Sequence, residues 1–344
     1  MRPVVTPLLP DRRGRLSGWV IDRLETSPSH APVDEPPPLP GDDDPLFGDD
    51  FHLALYVCYE LHYRGFDGVD PEWEWDPSLL DFRRSLERSF AGSLREEVST
   101  GPVTPEDVVA QLRSLSELDV SPSITKYVAR QATIQDVKEL LMHRSVYHLK
   151  EADPHTWAIP RLGGKPKVAL AEIQSDEYGS GRPERLHAQL FADSMVALGL
   201  DPSYGAYANI APGVTLGALN LMSMFGLHRR WRGAAVGHLA LFEMTSSEPN
   251  RRLGDGLRRL GYGPDATAFF DEHVEADSVH EVIALHDLAG ALAIEEPGVA
   301  GDIVFGARCL HRFDQASATR LMEAWSQGRS SLLEAARVGP APTA

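Results

Sequence analysis

Apolar residues in this chain recur every three or four positions, and almost nowhere every second one. From Asp49 the pattern runs Phe51, Leu55, Cys58 and Tyr59 and stops near Gly65, which predicts an amphipathic helix. Asp76-Pro77 reads as an N-cap and first-turn proline, and Leu79, Leu80, Phe82, Leu86 and Phe90 behind it predict a second. Thr104-Pro105-Glu106-Asp107 opens a third, short helix with Val108, Val109 and Leu112. Ser121-Pro122-Ser123 caps a long one reaching to about Lys150, faced by Ile124, Val128, Val137, Leu140, Leu141, Val146 and Leu149. After the break EADPHTWAIPRLGGKPK, helices are expected over 165–178, 184–199, 213–246 with an interruption near Gly226, 247–260, 265–294 and 298–335. Strand signals are scarce and no repeat is present, so the expected class is all-α, an up-and-down helical bundle.

Residues 26–47 combine a proline run with an acidic run and cannot offset their chain entropy by burial. Residues 1–45 are therefore read as a poorly ordered arm, or one that wraps over the domain using Leu8, Leu9, Trp19, Val20 and Ile21. The remainder divides into an accessory helical layer over 46–120, the main bundle over 121–335 and a tail over 336–344. A hydrophobic content of 42% over 344 residues is ample for a core. Nothing approaches the roughly 18 to 20 apolar residues of a membrane-spanning helix, and the N-terminus lacks the apolar centre of a secretory signal, so a cytoplasmic location is expected. Cys58 and Cys309 have no partner at zinc or redox-motif spacing and read as buried small hydrophobes. A net charge of −17 argues against nucleic acid or anionic membrane as a partner.

The chemistry concentrates in FFDEHVEADSVHEVIALHDLAGALAI, where His273, Asp277 and His280 stand at i, i+4 and i+7. On a helix these fall within about 60° of one another, so one stripe carries three potential ligands. Imidazole and carboxylate without thiolate is the donor set of non-heme iron or manganese; the competing reading is a solvated polar stripe. Glu243 follows Leu239, Leu241 and Phe242, and a carboxylate there needs either a metal or a cation such as Arg229 or Arg230. Glu177 and His187 flank a Gly-Ser-Gly and Pro183 break that lets two helix ends face a common point, with Asp176 and Glu172 as rival carboxylates.

A glutamate, a histidine ten positions on, a second glutamate thirty residues before the last cluster and a terminal His-x-x-x-Asp-x-x-His together resemble the heme-oxygenase-like di-iron oxidases. Here the pattern reads Glu177, His187, Glu243, His273, Asp277 and His280, and the resemblance covers about 121–335. It implies that all six are iron ligands, that Glu177 is shared between two metals, and that Glu177 and Asp277 stand at the catalytic centre. Some members add a glutamate from the preceding helix. If the flanking helices form a hairpin centred on about residue 158, Glu139 lies level with Glu177; Glu139 is the candidate, Glu151 its rival, and His143 a partner one turn away.

The cofactors implied are two iron ions cycling between Fe2+ and Fe3+, with O2 as co-substrate. The reaction implied is oxidation of a small molecule, an amino acid, amine or fatty acid, by N-oxygenation, desaturation or carbon–carbon cleavage. Gly213, Gly217 and Ala218 open space for it beside Leu221, Met222 and Met224, and Arg229 and Arg230 are candidates to hold a substrate carboxylate. An external electron donor and a homodimer are both compatible with the sequence. The alternatives are a heme oxygenase of the same bundle, against which the acidic balance and surplus of ligands count, and a non-catalytic helical interaction module. A ferritin-like store would need two Glu-x-x-His pairs, which are absent.

Overall fold

The computed structural model describes residues 6–30, 35–39, 44–118 and 121–334, with the side chains of 276–278 excepted. No strand occurs among them. Helix α1 (Arg15–Leu24) docks on α2 (Asp49–Glu60) through a borrowed cap: the Leu16 and Ser17 N–H groups, orphans of the first turn, both donate to the Asp50 carboxylate at 2.9 Å. α3 (Pro77–Glu97) starts at the expected Asp76, whose side chain accepts from Ser78 N and Leu79 N, and α4 (Val108–Ser116) follows.

The long helix expected over 121–150 is two helices, α5 (Ile124–Arg130) and α6 (Ile134–His148). Thr133 and Asp136 form a reciprocal capping box, which satisfies the backbone at a new N-terminus and so favours a break over continuation. α7 (Asp153–Thr156), α8 (Gly164–Glu177) and α9 (His187–Ala197) come next. The segment 213–246 is divided as expected near Gly226, into α10 (Gly213–Leu227) and α11 (Arg232–Met244), where His228 is extended with φ −101° and ψ 117°. α12 (Ser247–Arg259) precedes α13 (Pro264–Val282), which runs on through a π-helical segment (Ile283–Gly290) into α14 (Ala291–Glu295); α15 (Ala300–Ser326) closes the described chain.

Apolar residues of α1–α4 share one continuous core with α8, α10, α11, the π segment and the first half of α15. A second core joins α5, α6, α9, α12 and α13, with Phe191, Phe269 and Phe270 at its centre. α11 and α15 cross with their backbones nearly touching. A β-carbon on Gly237 would run into the Ile303 carbonyl, and one on Gly306 into the Ala234 carbonyl. Cys58 and Cys309 are both buried and unbridged. No helix among the described residues is long and apolar enough to cross a membrane.

Candidate metal centre

Where the two cores meet, three carboxylates and three imidazoles are buried together. Glu151, Glu177, His187 and His273 form one group, and Glu177, Glu243 and His280 a second; within each, one donor atom per residue lies within 4.8 Å of all the others. Glu177 belongs to both. Each side chain arrives by a different local device.

Glu177 ends α8 and His187 begins α9, and Gly179 makes their meeting feasible. Its φ of +77° belongs to the region glycine tolerates, and a β-carbon there would sit 2.7 Å from the Leu186 nitrogen. His187 Nδ1 consequently lies 2.9 Å from Glu177 Oε2, yet without hydrogen-bond alignment. Two acceptor atoms that close but not bonded to each other converge on a common point.

Glu151 follows α6 and precedes Ala152, a non-glycine residue at φ +76°. Such backbone costs on the order of 1–3 kcal/mol and persists only when its surroundings hold it. Here the Ala152 carbonyl accepts from His155 N at 3.1 Å, Thr156 N at 3.0 Å and Gln174 Nε2 at 2.7 Å. The turn points Glu151 inward, where His148 Nδ1–H donates to its Oε1 at 2.7 Å while Oε2 is buried with no hydrogen-bond partner.

On α13, His273 Nδ1–H donates to the Phe269 carbonyl at 2.8 Å, turning Nε2 toward Glu151 Oε1 at 3.7 Å. His280 uses its other nitrogen: Nε2–H donates to Asp176 at 3.1 Å, and Nδ1 faces Glu243 Oε2 at 3.4 Å and Glu177 Oε1 at 4.0 Å. In both, an outer hydrogen bond orients the ring and turns its other nitrogen inward, as around metal-ligating histidines. Asp176 is thus an outer partner and Glu177 the inner carboxylate, while Glu172 is exposed.

The charges are unbalanced. Burial alone would lower His280, but Glu243, Asp176 and Glu177 outweigh it and push it up to about 9. Burial likewise opposes a charge on His187, and Glu177 reverses this to raise it. Burial raises Glu151, yet His148 and His273 hold it well below the usual carboxylate range. Carboxylates that raise neighbouring imidazoles against the pull of burial make a setting that favours a cation. A small chamber of about 10 Å3 lies among Glu151, Glu177, Glu243 and His273, close to the room one water-sized occupant needs. The donor atoms, their burial and the two orphaned atoms fit iron, and the lack of thiolate argues against an iron–sulfur cluster.

Several expected residues are elsewhere. Glu139 is not in the cluster: it accepts from Trp325 Nε1 at 2.9 Å, Ser330 Oγ at 2.7 Å and Ser331 N at 2.7 Å, pinning the chain beyond α15. The assumed hairpin fails because α6 ends at His148, leaving Glu139 about 14 Å back along its axis, and Glu151 takes the position instead. His143 bonds Thr215 Oγ1 and Ser331 Oγ, away from the cluster. Arg229 and Arg230 are exposed on a one-turn 3-10 segment and line neither cavity, so neither holds a buried substrate nor pairs with Glu243. Asp277 lies on α13 between His273 and His280, and its side chain is outside those described. Of the small-residue segment, Ala218, Leu221 and Met222 do line a cavity, whereas Gly213 and Gly217 pack against Phe47, Gly48 and His52.

Fold and cluster together define an all-helical protein built to hold metal between carboxylates and imidazoles. Residues 138–315, just over half of the chain, match the family described as iron-containing redox enzyme, and the chain belongs to that family, of heme-oxygenase-like fold. It is an oxidoreductase by that membership. It is 26% identical over 230 residues to a nitrosourea synthase of Streptomyces achromogenes subsp. streptozoticus, covering 65% of this chain and 49% of that one. The chain therefore spans about half the length of the curated relative it matches. Two crystal structures of a CADD-like protein of unknown function from Nostoc punctiforme PCC 73102 share the fold at 20% identity, with TM-scores of 0.51 and 0.50. They cover 64% and 65% of this chain, and 97% and 96% of their own.

Proposed function

We propose that the protein is an O2-dependent non-heme di-iron oxidoreductase acting on a small organic substrate. The observation that carries the reading is Glu177, which belongs to both buried donor groups and would be the carboxylate between two ions. Glu151, His187 and His273 would complete one side, and Glu243 and His280 the other; Asp277 remains a candidate from its place on α13. Two ferrous ions so held would supply electrons to dioxygen. The chain's own contribution is positional. Gln174 fixes the Ala152 turn behind Glu151, Asp176 and Phe269 orient the rings of His280 and His273, and Tyr147, Leu239 and Phe242 line the chamber. Among N-oxygenation, desaturation and carbon–carbon cleavage we favour oxidation at nitrogen, because the matched relative is a nitrosourea synthase and an N-nitroso product requires oxidised nitrogen.

The test is anaerobic Fe(II) titration of the chelator-treated protein. About two equivalents should bind per chain, and Glu177→Ala should remove most of both, since the proposed metal binding depends on these side chains. Uptake of less than one equivalent, or uptake unchanged in Glu177→Ala, would sink the reading.

A further inference from the structure

A second, larger cavity of about 600 Å3 opens beside the cluster, a size typical of small-molecule sites. Glu151 and His273 form part of its wall, and Tyr147 and Phe242 border both this space and the small chamber. Much of the remaining lining is apolar, with Leu140, Leu219, Met222, Leu241 and Leu310. Charged side chains also line it, Arg144 from α6 and Asp314 from α15 along with Glu117, Lys126, Glu248 and Arg252.

Several other polar groups on the wall are engaged. His143 bonds Thr215 and Ser331, His148 bonds Glu151, His238 bonds His155 at 3.2 Å, and Arg252 pairs with Glu248 at 2.8 Å. Arg144 and Asp314 have no hydrogen bond and no ion-pair contact among the described residues. They line the same cavity without touching, and Glu151 of the cluster shares that wall with them. Burial lowers Arg144 and raises Asp314 to about 7, against the partial help each gives the other. More than a third of the Asp314 surface is accessible although the residue is deep in the molecule, because it faces the cavity. Enclosed charges without partners are expensive to keep, and a complementary ligand removes that cost.

Building on the oxidative reading above, we propose that Arg144 and Asp314 are the two anchors of a substrate site for a zwitterion of the amino-acid class. The carboxylate lies on the Arg144 fork, the ammonium on Asp314, and the rest of the molecule along the apolar wall. A fatty acid would leave Asp314 without a cation, and a simple amine would leave Arg144 without an anion. Neither half-charged ligand matches the site as well.

Binding to the full chain without added iron tests this independently of metal and oxygen. Calorimetric titration with each of the twenty L-α-amino acids, n-decanoate and n-decylamine should find at least one amino acid that binds more tightly than either singly charged probe. Arg144→Met and Asp314→Asn should each weaken that amino acid at least about tenfold, and Arg144→Lys should fall between, keeping the charge but not the fork. Thermal unfolding of the variants should stay at or above the parent, because each removes an unpaired enclosed charge. No binding by any amino acid, equal or tighter binding of decanoate or decylamine, or an affinity unmoved in both variants would overturn the proposal. Iron uptake with no amino-acid binding would remove these anchors and leave the metal reading standing. Amino-acid binding with no iron uptake would do the reverse.

Discussion

Asp176 is about half exposed and has no place inside the cluster, yet it decides which nitrogen of His280 looks inward. If that outer hydrogen bond matters as it does around metal-bound histidines, Asp176→Ala should weaken Fe(II) or Mn(II) binding by about 10- to 100-fold with helical content unchanged. Asp176→Asn, which can still accept through its amide oxygen, should lose less. A titration showing Asp176→Ala at parental affinity would end the argument from ring orientation. Residue identity was legible in the sequence where an isolated polar group stood in apolar company, as for Glu243, and where helical spacing put His273 and His280 on one stripe. It was not legible where two carboxylates competed: Asp176 and Glu177 are neighbours in sequence, about 100° apart on α8, and only the packing of that helix decides which one faces inward. Glu151 was obscured for a related reason, since the left-handed Ala152 that aims it leaves no mark in residue type.

Helices as such were readable from periodicity, and so was the interruption near Gly226, but the one at Thr133 was not. The break at Thr133 depends on a capping box competing with helix continuation, which does not alter the apolar period. Gly179 is the element-scale feature with most at stake, because it joins α8 to α9 and therefore Glu177 to His187. Gly179→Ala combines a disfavoured φ with a backbone clash, so we expect a loss of about 2 kcal/mol or more in urea unfolding. Metal affinity should fall with it even at temperatures where the variant remains folded. Stability within about 0.5 kcal/mol of the parent would show that the α8–α9 junction relaxes freely and that this glycine does not position the centre.

At the scale of the whole molecule, buried neutral histidines set the acid limit. His52, enclosed with Leu46 and Asn220, and His143, enclosed with Thr215 and Ser331, are both lowered to about 4, with burial the main cause. Below pH 6.5 the unfolded chain takes up a proton at each ring that the folded chain refuses until about pH 4. Their stabilisation is thus complete above pH 6.5 and is lost on descending that window, by up to about 3 kcal/mol per ring. Asp314, held protonated up to about 7, works the other way and offsets part of the loss. Urea midpoints measured from pH 7 to pH 4 should fall, and a His52→Asn, His143→Gln double variant should flatten the descent. An equally steep fall in that variant would assign the acid limit to other groups. What the sequence did not reveal at this scale is that the helices before residue 120 share a core with α10 and α11. Amphipathic patterning shows that a face is covered, never by which neighbour.

The crossing of α11 and α15 ties these scales together. With Gly237 and Gly306 admitting backbone against backbone, the two helices have no side-chain cushion along which to slide. Glu243 stands about 9 Å along α11 from the contact and Asp314 about 12 Å along α15, so one stiff frame carries both ends of the reaction space. The span between them acts as a fixed ruler. A longer or shorter guest cannot be fitted by shifting these helices and must instead be met by exchanging residues on the softer opposite wall, at Leu140 or Met222.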